Sequence, residues 1–146
     1  MQLPVNLLLS IFKKCRDVTR GQAALVRFAI GLVGCPWAAK VCRCSSEISY
    51  DPTTKIITYK ITWTLGNSAA TTTNMHFHGS DTGSDLVSSG VAIGITGFAT
   101  GSSGTLSGIT VALTDVQAAQ LLAGKWYVNI HSSTVGSGEL RGNIKF

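Results

Sequence analysis

The sequence predicts an all-β domain, an antiparallel sandwich or barrel with one short connecting helix, and three observations carry that prediction. From Thr54 onward apolar residues recur with a period of two, the strands so defined are short and separated by turn residues, and a single stretch ending at Gly124 carries helix signals instead. The chain has 146 residues, 45% of them hydrophobic and 13% charged, with a mean hydropathy of +0.27, a composition that supports one packed core and excludes a disordered chain.

The first 46 residues stand apart. They hold seven basic residues (Lys13, Lys14, Arg16, Arg20, Arg27, Lys40 and Arg43) against one acid, Asp17, whereas residues 47–146 hold five basic and six acidic groups. The net charge of +5 therefore belongs to the N-terminal segment, and no basic excess remains in the folded part to hold nucleic acid. Segment 1–46 has three readings. Apolar runs at Leu7–Phe12 and Ala23–Val33 suit a targeting segment, yet Arg27 interrupts a secretory signal and serine is scarce for a mitochondrial presequence. Disorder and a mispredicted chain start are the other two. Its longest charge-free runs, Met1–Phe12 and Phe28–Ala39, are 12 residues each, below the roughly 18–20 that a membrane-spanning helix needs. All four cysteines, Cys15, Cys35, Cys42 and Cys44, precede residue 47, so a domain over 47–146 is expected to have no internal disulfide.

The first clear strand is Ile57, Tyr59, Ile61, Trp63 and Leu65 alternating with Thr58, Lys60, Thr62 and Thr64, entered through Asp51-Pro52 and ended by Gly66-Asn67. A short strand follows at Met75–His78, then a Gly/Ser/Asp loop from Gly79 to Asp85. Val91, Ile93 and Ile95 form the next, with Gly94 and Gly97 marking a bulge or a close backbone approach. Gly101–Gly104 reads as a hairpin connection into a strand with Ile109, Val111 and Leu113 inward. Thr114 and Gln117 make a capping box for a two-turn helix over Asp115–Ala123, and Gly124 stops it. Trp126, Val128 and Ile130 then alternate with Tyr127, Asn129 and His131, and after a turn at Ser132–Gly138 the last strand places Leu140, Ile144 and Phe146 inward. The expected core is Ile57, Tyr59, Ile61, Trp63, Phe77, Ile109, Val111, Trp126, Val128, Ile130 and Ile144.

Three histidines are the candidates for chemistry. His76 and His78, at i and i+2, project from one strand face while Met75 and Phe77 take the other, and His131 is out of phase with the apolar stripe of its own strand. If the two strands are neighbours the imidazoles converge, a geometry that one zinc or copper ion accepts; the alternative is a polar patch in which the same rings order the strands by hydrogen bonds. Asn129 shares the face of His131. Glu139 and Arg141, at i and i+2 on the last strand, are expected to join the patch as a charge-assisted pair. The usual nucleophile elbow and phosphate-binding loop are missing, and the domain offers no nucleophilic cysteine.

The blocks Met75-His-Phe-His-Gly79, Gly104-Thr-Leu-Ser-Gly108, Leu122-Ala-Gly-Lys-Trp-Tyr-Val-Asn-Ile-His131 and Gly138-Glu-Leu-Arg-Gly142, in that order, resemble the chordin-type (CHRD) domain family from about residue 47 to 146. The resemblance implies an immunoglobulin-like, Greek-key sandwich or barrel. It also implies an extracellular or secreted module that binds an unidentified protein or surface ligand without catalysis. The family's usual opening, a strand ending in an E-x-P-P-like segment, has no counterpart between Val41 and Tyr50, which leaves a lost first strand or a misassembled chain start as the two expectations. The competing functional reading is a histidine-based zinc or copper protein, with a dismutase-like redox enzyme as its catalytic form.

Overall fold

In the computed structural model the described residues are 43–79 and 87–146; most of segment 1–46, with Cys15, Cys35 and Cys42, and most of the Gly79–Asp85 loop lie outside them. The strands are β1 (Arg43–Asp51), β2 (Ile56–Thr64), β3 (Thr72–Gly79), β4 (Val91–Gly94), β5 (Ser103–Ile109), β6 (Trp126–Ser132) and β7 (Leu140–Ile144), with the helix α1 (Asp115–Leu122) between β5 and β6. They form two antiparallel sheets, one ordered β1-β2-β5 and the other β4-β3-β6-β7. The all-β sandwich is thus the architecture the period-two runs called for.

The inner faces carry the core. Ile48 and Tyr50 of β1 and Ile57, Tyr59, Ile61 and Trp63 of β2 face Met75 and Phe77 of β3, Trp126, Val128 and Ile130 of β6, and Leu140 and Ile144 of β7, all buried. Tyr59 meets Phe77 edge-on with ring centroids 5.4 Å apart. Trp63 Nε1 donates to Thr72 Oγ1 at 2.8 Å, a buried tie from β2 to β3. Thr114 caps α1 as a complete capping box with Gln117, and Leu121 plugs the end of the core.

Four expectations about the elements change. A strand precedes the first one read from the sequence: β1 pairs with β2 along its whole length, from Arg43↔Thr64 to Asp51↔Ile56, so the pairing reaches four residues ahead of residue 47 and Cys44 is buried in the core. Ile109 and Val111 are not core residues but 66% and 73% exposed. The inward positions of β5 are Gly104, Leu106 and Gly108, because Gly104 lies opposite Trp63 and Gly108 opposite Tyr59, and a Cβ would come 2.6 Å from the Trp63 ring at the first and 2.5 Å from the Tyr59 hydroxyl at the second. Bare backbone under two aromatic rings sets the phase, and the visible apolar residues turn outward. Gly101–Gly104 is not a hairpin, since β4 and β5 belong to different sheets; the segment crosses between them. Phe146 lies beyond β7 and is 40% exposed.

Candidate metal centre

The outer face of the β4-β3-β6-β7 sheet holds the histidines. Period-two alternation puts Met75 and Phe77 into the core and His76 and His78 on the opposite face, while on β6 Trp126, Val128 and Ile130 point inward and Tyr127, Asn129 and His131 outward. Antiparallel pairing of β3 with β6 sets His76 opposite Asn129, His78 opposite Tyr127 and Asn74 opposite His131 in one unbroken register, and the irregularity lies beyond them, between Thr72 and Asn74. The three rings converge. His76 and His131 have centroids 5.1 Å apart and His76 and His78 5.6 Å, and one ring nitrogen from each residue can be chosen so that all three lie within 4.8 Å of one another.

Hydrogen bonds fix which nitrogens are available. His78 Nδ1 lies 2.9 Å from the carbonyl oxygen of Ser89, and His131 Nδ1 lies 2.8 Å from that of Gly136. A carbonyl can only accept, so both Nδ1 atoms carry a proton, and in the neutral ring the lone pair is on Nε2. His131 Nε2 faces His76 Nδ1 at 3.3 Å and accepts from Asn129 Nδ2 at 3.4 Å. His78 Nε2 is buried with no hydrogen-bond partner among the described residues. Burial holds the pKa of His76 and His78 below the ordinary histidine value, and the neighbouring His131 adds to the effect at both, so these rings favour the neutral form.

The remaining expected site residues divide. Arg141 belongs to the patch: its guanidinium carbon sits 3.6 Å from the centre of the Tyr127 ring and its Nη2 donates to the Val87 carbonyl at 3.0 Å. Glu139 does not. It precedes β7 and is 3% exposed, its oxygens accepting from the Gly66 N–H at 2.6 Å, from the Ser132 hydroxyl and from the Thr134 hydroxyl. Ser132 is buried and lies on the face of β6 opposite His131, so the carboxylate serves the sandwich interior. The expected Glu139–Arg141 ion pair is therefore replaced by two separate roles, and among the described residues the ion pair that forms is Lys55–Asp115.

Sequence reasoning passed over three contributors. Tyr127 stacks on His78 with centroids 4.7 Å apart and planes 1° from parallel, and the main chain of Ser89 and Gly136 takes the two imidazole protons. The parity of Tyr127 with Asn129 and His131 was a readable signal; the two carbonyls sit in loops and left none.

Gly138 shows how two of the blocks interlock in this chain. Its φ is +117°, a region that favours glycine, and a Cβ there would fall 2.3 Å from Asn129 Oδ1. The Gly138-Glu-Leu-Arg-Gly142 block thus makes room for the side chain that braces His131. No curated protein and no solved structure matches the chain significantly. The model of the CHRD domain matches residues 44–144, which takes in all of β1 but Arg43, every element from β2 to β7 and every residue of the histidine face. The chain therefore belongs to the CHRD domain family.

Proposed function

We propose that this CHRD domain holds one transition-metal ion, copper or zinc, through His76, His78 and His131. The observation that carries the reading is the pair of fixed tautomers: main-chain carbonyls take the Nδ1 protons of His78 and His131, which leaves Nε2 lone pairs beside a third imidazole. Ligating histidines are characteristically oriented by a hydrogen bond from the other ring nitrogen. The spacing also fits. A tetrahedral ion with bonds of about 2.0–2.1 Å sets its nitrogens roughly 3.3 Å apart, and the His76–His131 separation is 3.3 Å. Closing the widest separation from its 4.8 Å limit requires side-chain movement of about 1.5 Å, within the reach of a rotamer adjustment. A set of three imidazoles without thiolate or carboxylate suits copper and zinc, and copper(II) stands highest in the affinity order of divalent ions.

Three protein ligands leave a coordination position open, so the centre has room for an exogenous donor. The extracellular, non-catalytic binding role rests on the family resemblance, and a metal-bearing module is compatible with it. The test is metal content. Full-length protein exposed to copper or zinc and dialysed should retain about one ion per chain, and the double substitution His76→Ala/His78→Ala should abolish retention. Equal retention by both proteins, or none by the parent, overturns the reading.

A further inference from the structure

Beyond the three histidines, the same face contains a closed arrangement of side chain and main chain around His78. The Tyr127 ring lies flat against the His78 ring, 4.7 Å between centroids, and Arg141 reaches the phenol from the β7 side with its guanidinium 3.6 Å from the ring centre. The phenol is held between an imidazole on β3 and a guanidinium on β7. At the far end of the two stacked rings sits a single residue, Ser89: its N–H donates to Tyr127 Oη at 3.0 Å, and its carbonyl accepts from His78 Nδ1 at 2.9 Å. One peptide segment therefore reads both ring tips at once, and Tyr127 is 4% exposed in consequence.

We propose that Tyr127 is a positioning residue of the candidate metal centre: stacked on His78 and bonded to Ser89, it fixes the ring plane and the tautomer that leave His78 Nε2 free to ligate. The assignment of a metal rests on the function proposed above; the clamp itself does not. Stacking removes the ring's freedom to swing about χ2, and the Ser89 carbonyl, which the Tyr127 hydroxyl also reaches at 3.5 Å, is held 2.9 Å from His78 Nδ1, so the protonated nitrogen is Nδ1. An imidazole without the clamp exchanges its proton between the two nitrogens and rotates, presenting Nε2 for part of the time. His131 provides an internal comparison, since its tautomer is set by Gly136 and owes nothing to Tyr127.

The test has two readouts on the full chain. Long-range proton–nitrogen NMR of the metal-free protein reports each histidine tautomer, and copper(II) titration against a chromophoric chelator reports affinity. In the parent, His78 and His131 should both be protonated at Nδ1. In Tyr127→Leu, His78 should become a tautomer mixture while His131 keeps its state, and copper affinity should fall about 10- to 100-fold, the usual cost of losing an orienting partner. His78 remaining wholly Nδ1-protonated in Tyr127→Leu would overturn the proposal whether or not copper binds. If neither protein binds copper but the His78 tautomer loosens as stated, the clamp stands and the metal reading fails. Should Tyr127→Leu not fold, Tyr127→Phe keeps the stack and removes the acceptor of the Ser89 N–H; amide exchange at Ser89 should then quicken at least several-fold, and unchanged protection would overturn the proposal.

Discussion

Replacing Gly104 by alanine tests the packing argument at its tightest point. The added Cβ would stand 2.6 Å from Cη2 and Cζ2 of Trp63, whereas carbon atoms rest at about 3.5–4.0 Å. The indole has to retreat by about 1 Å, and it has nowhere to go. Trp63 is 1% exposed, its Nε1 is tied to Thr72 Oγ1 at 2.8 Å, and that hydroxyl in turn donates to the Gly101 carbonyl at 2.8 Å. Overpacking costs about 1–3 kcal/mol, and a weakened buried hydrogen bond adds about 1 kcal/mol. Alanine in place of a strand glycine returns about 0.5–1 kcal/mol. The net loss of about 1–3 kcal/mol corresponds to a fall in Tm of roughly 5–20 °C for a domain of this size. Thermal unfolding followed by near-ultraviolet circular dichroism measures it, with Gly94→Ala as the control because nothing lies within 4 Å of a Cβ built there. Equal melting of the two variants would refute the claim that β5 is phased by aromatic rings seated on glycines.

Other outcomes follow from the same structure. Trp126→Ala, at a site 1% exposed, should cost about 3–5 kcal/mol in denaturant melts, and an unchanged midpoint would contradict its place in the core. A chain cut to residues 43–146 should melt higher than one cut to 47–146, because the shorter piece loses the pairing of residues 43–46 with β2, at about 0.5–1.5 kcal/mol for each ladder hydrogen bond; equal Tm values would show that this end of β1 adds nothing. The metal-free protein should lose stability as the pH falls through and below about 6.5, since His76 and His78 bind protons less readily folded than unfolded. A His76→Asn/His78→Asn protein should have a shallower slope over that window, and an identical slope would assign the acid sensitivity elsewhere. Cys44, buried with its thiol pKa pushed up to about 11, should resist alkylation in the native state and react on unfolding.

How much of this was legible depends on which rule each residue obeys. His76 and His78 could be placed on one face, and His131 on the polar face of its strand, because a strand's side chains alternate whatever the strand pairs with. The alignment that joins them could not, since it depends on β3 and β6 being neighbours and on the register in which they pair. β5 misled for the opposite reason. Its inward positions are two glycines and Leu106, so the alternation was carried by residues with no side chain, and Ile109 and Val111 supplied a false phase. Glu139 misled because spacing relative to Arg141 says nothing about where a strand begins; β7 starts at Leu140, and the carboxylate turns inward to Ser132 and the Gly66 amide. β1 was obscured because its Cys/Ser/Glu-rich sequence carries little apolar periodicity before Ile48, and its pairing with β2 is what makes it a strand.

The two imidazole protons end on main-chain oxygens, and that choice shapes how such a face can drift in sequence. A carboxylate acceptor is lost in one substitution. A peptide carbonyl is present whatever side chain its residue carries, so the identities at positions 89 and 136 are free to vary provided the chain keeps its path. Ser89 fits this view: its own hydroxyl is buried and bonded to nothing among the described residues, so Ser89→Ala subtracts no contact from His78. Selection on this face then acts on loop geometry more than on loop letters, and two relatives could preserve the same pair of tautomers while sharing no residue at either position.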